Sequence, residues 1–134
     1  CLEKRLGVPP AVLLPSLLFG AVHIIGNDLG PVSALQVLAA GSIVGILFSL
    51  IALEGGSVWN SALVHGVWNL AVVGGIWQIG TAANPEALFS FVLDNTSFWI
   101  SGGEFGIEAS VLSVGIYLAF SVLAALRMKK KAAV

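Results

Sequence analysis

Between Arg5 and Arg127 this chain has no lysine and no arginine. A water-facing surface needs charge, and about 25% of a soluble domain's residues carry it; here 10% are charged and 57% are hydrophobic. A chain of this kind hides its apolar surface in a bilayer. Four apolar stretches, at residues 8–25, 31–53, 57–79 and 107–126, each approach the ~20 residues that cross a hydrocarbon core as a helix. The expected fold is therefore all-α: a polytopic membrane bundle of about four transmembrane helices, forming one membrane domain over residues 1–134 with no second domain.

The charges set the orientation. Lys4 and Arg5 precede the first stretch, while Arg127, Lys129, Lys130 and Lys131 follow the last. Asp28, Glu86, Asp94, Glu104 and Glu108 fall in or beside the two loops between them. By the positive-inside rule both termini are expected in the cytoplasm, as an even number of spans requires. The basic cluster beside a membrane exit reads as a topology signal and a contact for anionic lipid, so the lipid bilayer is the expected partner and nucleic acid is not. The single cysteine, Cys1, excludes an internal disulfide.

Along the chain, Pro9 and Pro10 open the first span, where proline is tolerated, and Pro15 is expected to kink it. Residues 27–31 form a short turn that makes the second span antiparallel to the first. Gly41 and Gly45 stand at the GxxxG spacing that lets another backbone approach. Ser57 is the expected N-cap of the third span. The long connection at 80–106 carries Phe89, Phe91, Phe98, Trp99 and Phe105. It reads either as an interfacial loop with a short amphipathic helix near 85–93, or as a loop folded over the helix ends.

Both histidines, His23 and His65, fall inside the apolar stretches. An ionisable ring in a span is costly and tends to face the bundle interior, which makes it a functional-site candidate. Asn69 lies four residues after His65 and Phe19 four before His23, so each pair shares a helix face. Asn69 is placed to bond a group held by His65 or to orient its ring, and Phe19 to wall a pocket. Gly20 and Gly66 would let the two helices come close enough for both rings to meet. Ser61, one turn before His65, is either a further polar partner or bonds its own backbone.

Two imidazoles and an amide can hold a metal, position a water or stabilise an oxyanion. They lack a strong base, since no carboxylate lies deep in a span: Glu3, Glu54 and Glu108 flank span ends. One difficulty is depth. At 1.5 Å per residue, His23 lies roughly 22 Å from Val8 and His65 roughly 12 Å from Ser57, so straight helices starting at one face would hold the rings at different levels unless Pro15, tilt or a deeper start repairs it.

The strings Phe19-Gly-Ala-Val-His23 and His65-Gly-Val-Trp-Asn69, in that order with one span between them and Gly56-Ser57-Val58-Trp59 leading into the second, resemble the CPBP intramembrane proteases. That family includes the CAAX prenyl endopeptidases and the bacterial bacteriocin-processing and Abi proteins, and shows in order EExxxR, FxxxH and HxxxN or HxxxD. The resemblance is good over residues 2–69 and looser beyond. It implies an intramembrane endopeptidase of the bacterial plasma membrane acting on a peptide or membrane-protein substrate. His23, His65 and Asn69 would position the attacking water or stabilise the oxyanion, with Phe19 lining the pocket. If a divalent metal such as zinc takes part, His23 and His65 are its expected ligands. EExxxR is absent here. The chain then reads as the C-terminal portion of a larger domain, carrying the histidines without the base and inactive by itself.

Two other classes fit the same residues. Histidines on two helices can ligate a haem in an electron-transfer protein. Alternatively the rings merely bond across helices in a non-catalytic immunity or scaffold module.

Overall fold

A computed structural model describes residues 2–94 and 97–132, so Cys1 lies outside the described residues. Among the described residues six helices run in the order α1 (Leu2–Leu6), α2 (Val8–Val22), α3 (Pro31–Gly55), α4 (Val58–Val72), α5 (Phe98–Ser101) and α6 (Val111–Ala132). Strands β1 (Trp77–Gly80) and β2 (Phe89–Val92) lie between α4 and α5, and a 3-10 turn, Ile107–Ala109, leads into α6.

Local chemistry explains the helix ends. Gly7, at φ 81°, separates α1 from α2, whose first turn holds Pro9 and Pro10. The helix then continues through Pro15 without a break. Pro31 opens α3, and Gly56, in the left-handed region at φ 69°, closes it. The next residue, Ser57, caps α4 as expected, its hydroxyl accepting from the Trp59 N–H at 3.3 Å. Such a tight turn makes α3 and α4 antiparallel. The last turn of α6 carries Lys129, Lys130 and Lys131, cations that suit the negative end of the helix dipole.

Two expectations need correction. The fold is mostly helical rather than all-α, because β1 and β2 pair as a small parallel sheet with Trp77 opposite Phe89. The stretch at 57–79 is not one helix: α4 stops at Val72, Gly74 and Gly75 follow, and Gly75 turns the chain at φ 77°. The β-favouring run Trp77-Gln-Ile then pairs with Phe89-Ser-Phe-Val, and this second strand stands where the amphipathic helix was expected.

Helix α3 is the centre of the bundle, with α2, α4 and α6 all packed on it. Against α2 the fit is between small residues. A Cβ added to Gly41 would lie 2.7 Å from Gly20 Cα, and one added to Gly45 would lie 2.6 Å from Ser16 Cα. Ser16 and Gly20 on α2 thus meet Gly45 and Gly41 on α3, two four-residue spacings interlocked antiparallel. Gly20 is spent on α3, whereas a Cβ added to Gly66 would meet nothing within 4 Å. These glycines therefore do not draw the two histidine helices together; α3 stands as their common neighbour.

Burial has the polarity of a membrane protein. Ser16, Ser33, Ser61, Ser110, Ser113 and Ser121 are buried, whereas Leu13, Leu17, Leu18, Leu63, Val67, Leu118 and Phe120 are exposed. Several of the serine hydroxyls bond neighbouring backbone carbonyls, as Ser16 does to Val12 at 2.6 Å and Ser121 to Tyr117 at 2.8 Å. Two helices, α3 and the apolar run of α6, are long and apolar enough to cross a membrane, with mean hydropathies of 2.2 and 1.9. At the basic end, Glu54 pairs with Arg127 at 2.9 Å and Lys131 at 3.3 Å, tying α3 to α6. Arg127 and Lys131 are largely exposed, so each pair is worth about 0–1 kcal/mol.

At the other end, Val37, Ala40 and Ala109 form a small apolar core against which Ile24, Leu29, Phe105 and Val114 pack. Of the two readings of the long connection, the structure supports the loop folded over the helix ends. Phe105 folds over the helix ends, while Phe89, Phe91 and Trp99 remain exposed.

Candidate functional site

His23 is the C-cap of α2 rather than an interior residue of a span. Its Nδ1 lies 2.6 Å from the Phe19 carbonyl. A carbonyl only accepts, so Nδ1 is the donor in this contact and Nε2 is the nitrogen left for another partner. The chain turns away immediately: Asn27 Nδ2 donates to the His23 carbonyl at 2.9 Å and Gly26 takes φ 83°.

His65 sits in the middle of α4, half-buried. Its ring contacts Phe48 of α3 at 5.2 Å between centroids and Phe19 of α2 at 5.3 Å. Phe19 also packs on His23 at 4.6 Å and on Phe48 at 5.5 Å. One phenyl ring thus touches both imidazoles, which meet through Phe19 rather than directly. A haem clamped between the imidazoles would have to displace Phe19.

Below this aromatic group a cavity of 420 Å³ opens between α2, α3 and α4 towards the basic end. It is lined by Phe19, Phe48 and His65, by Pro15 and Ser61, and by Glu3 of α1. The Ser61 hydroxyl donates to its own helix at Val58 O, 2.9 Å, and is not turned to His65. Asn69 lies one turn beyond His65 on an exposed face, and its side chain makes no hydrogen bond among the described residues. A larger cavity, 490 Å³, sits at the start of α3 beside Ser33, Phe98 and Glu104 and includes neither histidine.

Side-chain contacts of Glu104, Gln36 and Trp68 hold the 102–110 loop over the His23 end. Glu104 Oε2 accepts from the Gly30 N–H at 2.8 Å and the carboxylate also bonds Ser33, anchoring the loop to the first turn of α3. Gln36 Nε2 donates to the Ala109 carbonyl at 2.9 Å. Trp68 of α4 donates its indole N–H to Glu108. The Ser33 bond first, and the Gly30 N–H second, hold the Glu104 carboxyl below the usual carboxylate range, against desolvation. The anchor therefore contributes above the ordinary carboxylate pKa and is lost as pH falls through the lowered value. Amide protection across residues 102–106, taken relative to the intrinsic exchange rate at each pH, is expected to fall on acidification through that window. Glu104→Gln should exchange faster at neutral pH and lose the dependence, which separates Glu104 from the neighbouring Glu108.

Catalytic zinc sites use three protein ligands. Among the described residues no group of three His, Cys, Asp or Glu side chains is placed to hold a metal ion. His23 and His65, each touching Phe19, do not make such a site by themselves.

Sequence reasoning missed two residues. Phe48 had a signal, since positions 41, 45 and 48 share one face of α3 and the first two already mark the contact with α2. Phe105 had none, because nothing local tells which aromatic of the long connection folds inward.

A family model described as Type II CAAX prenyl endopeptidase Rce1-like matches residues 1–71, the segment that holds Phe19, both histidines and Asn69. No curated protein matches and no solved structure matches.

Proposed function

The chain belongs to the Rce1-like family of type II CAAX prenyl endopeptidases, and on that premise we propose that it supplies the histidine wall of an intramembrane peptidase site. The substrate class is a peptide carried at the membrane by a prenyl group or by its own apolar segment. His23 and His65 position the attacking water and stabilise the oxyanion of the tetrahedral intermediate, with Asn69 as a further polar contact on α4. The observation that carries this reading is Phe19, which joins the two imidazoles at the head of a mostly apolar cavity ending on His65.

The chemistry follows from the groups present. With Nδ1 donating to Phe19, Nε2 is the His23 nitrogen placed to accept a water proton. His65 has no such backbone tie among the described residues, and its ring is held at the head of the cavity by Phe19 and Phe48. Neither ring is a strong base. A carboxylate completes the site, by resemblance one from the family's paired-glutamate motif; Glu3 lines the same cavity as His65. A divalent metal would need ligands beyond the two imidazoles. In this reading α2 and α4 cross the bilayer beside α3 and α6, the basic end faces the cytoplasm, and the membrane is the bacterial plasma membrane.

The test is cleavage by the natural gene product in liposomes. Three substrates are compared by mass spectrometry: a peptide with a prenylated cysteine near its C-terminus, the same peptide unmodified, and a single-span membrane peptide. Cleavage of the prenylated or the membrane peptide, with the unmodified one spared, is the expected result. No cleavage of any of the three by folded protein would remove the peptidase reading.

A further inference from the structure

Phe105 lies outside the segment that the family model matches and far along the chain from His23, yet its ring packs edge-on against His23 with 6.2 Å between centroids. From this we infer that Phe105 is a positioning residue for His23, presented by a rigid turn and fixing the imidazole whose Nδ1 is already tied to Phe19. The inference rests on the reading of His23 as a site residue.

The turn is built to hold one shape. Gly102 takes φ 86°, and a Cβ there would run into the Gly106 carbonyl oxygen, so the 102–106 loop closes on itself as only glycine permits. Its backbone is bonded inside the turn, from Gly106 N–H to Gly102 O at 3.3 Å and from Gly102 N–H to Phe98 O at 3.1 Å. Outside the turn it is pinned on both sides of Phe105, by Glu104 to the start of α3 and by Ala109 to Gln36. The phenyl ring itself is half-buried against the core of Val37, Ala40 and Ala109. Every element that would let the ring drift is therefore fastened.

His23, in contrast, sits at a helix end, where the side chain has one hydrogen bond and no further helical turn to confine it. Rotation about its outer torsion would break the Nδ1 bond and turn Nε2 away. Phe19, at 4.6 Å between centroids, and Phe105, at 6.2 Å, both pack on the imidazole and oppose that rotation. A catalytic side chain needs such support to hold its geometry. Phe105 touches neither water nor substrate in this scheme; it acts through His23.

The test measures His23 directly. The gene product in liposomes is treated with diethyl pyrocarbonate, and modification of His23 and His65 is followed separately by peptide mass spectrometry. Phe105→Ala is expected to raise the His23 rate several-fold and leave His65 unchanged, with Phe105→Tyr restoring the wild-type rate. Glu104→Gln, which loosens the anchor without touching the ring, should raise the His23 rate to a lesser degree. In the peptidase assay Phe105→Ala should lower kcat about tenfold with a smaller change in KM. An unchanged His23 rate in Phe105→Ala would overturn the inference, as would an equal rise at both histidines, which marks a loosened fold. Because the modification assay needs no turnover, a protein that cleaves nothing would remove the peptidase reading while the His23 rates still decide the role of Phe105.

Discussion

His65→Ala in the active gene product is expected to lower kcat by roughly 10²–10³-fold, the usual loss when one donor to a developing oxyanion is removed. The site makes this variant informative. The His65 ring is held by Phe19 and Phe48 and carries no hydrogen bond among the described residues. Truncating it leaves no orphaned partner and only a partly filled cavity, so folded yield should stay close to wild type. His23→Ala should cost a similar factor in kcat, with about 1 kcal/mol of added instability from the lost bond to the Phe19 carbonyl. The double variant should be little worse than either single one if the imidazoles act on the same intermediate. Asn69→Ala should have the smallest effect, since its side chain is exposed and unbonded among the described residues. Steady-state kinetics in liposomes at matched folded protein decide this. Retention of kcat in both histidine variants would return the rings to a structural role.

The second large effect concerns stability. Gly45→Leu would drive its Cβ to within 2.6 Å of the Ser16 backbone, where no flexible side chain can give way. Helix α2 must then move off α3, at an expected cost of about 1–3 kcal/mol. Ser16 lies one turn from Phe19, so the same displacement should separate Phe19 from Phe48 and lower activity as well. Gly66→Leu is the matched control: it makes the same substitution one residue from His65, in open space, and should change stability by less than about 0.5 kcal/mol. Thermal unfolding in a fixed detergent would compare the two. Equal losses would mean that α2 and α3 do not meet at Gly45.

Much of this was legible in the sequence because the signals were compositional or four residues long. The stretch from Arg5 to Arg127 without a basic residue set the environment, Ser57 its helix start, and the GxxxG of α3 its close partner. The partner's identity was misread. Gly20 and Gly66 looked alike as small residues beside histidines, and only the three-dimensional order of helices separates the one that is buried on α3 from the one that is bare. The fate of 73–80 was hidden for another reason. An apolar run reads as span or strand alike until the Gly74-Gly75 break is given its φ. Phe105 depends on a contact with a distant segment, and no periodicity carries that information.

The buried serines and bared leucines have a consequence for how this molecule can change over time. In a water-soluble domain the interior resists substitution and the outside drifts. If α2 and α4 cross the bilayer beside α3 and α6, as proposed above, the outer residues meet lipid tails, among which leucine, isoleucine, valine and phenylalanine are nearly equivalent, and exchanges at Leu13, Leu17, Leu63 and Leu118 should pass almost unnoticed. The central seam of Ser16, Gly20, Gly41 and Gly45 is limited by size, not by greasiness. A library randomised across the chain should therefore keep glycine at 20, 41 and 45, where any Cβ meets backbone, accept only small residues at 16, and exchange apolar side chains freely on the rim.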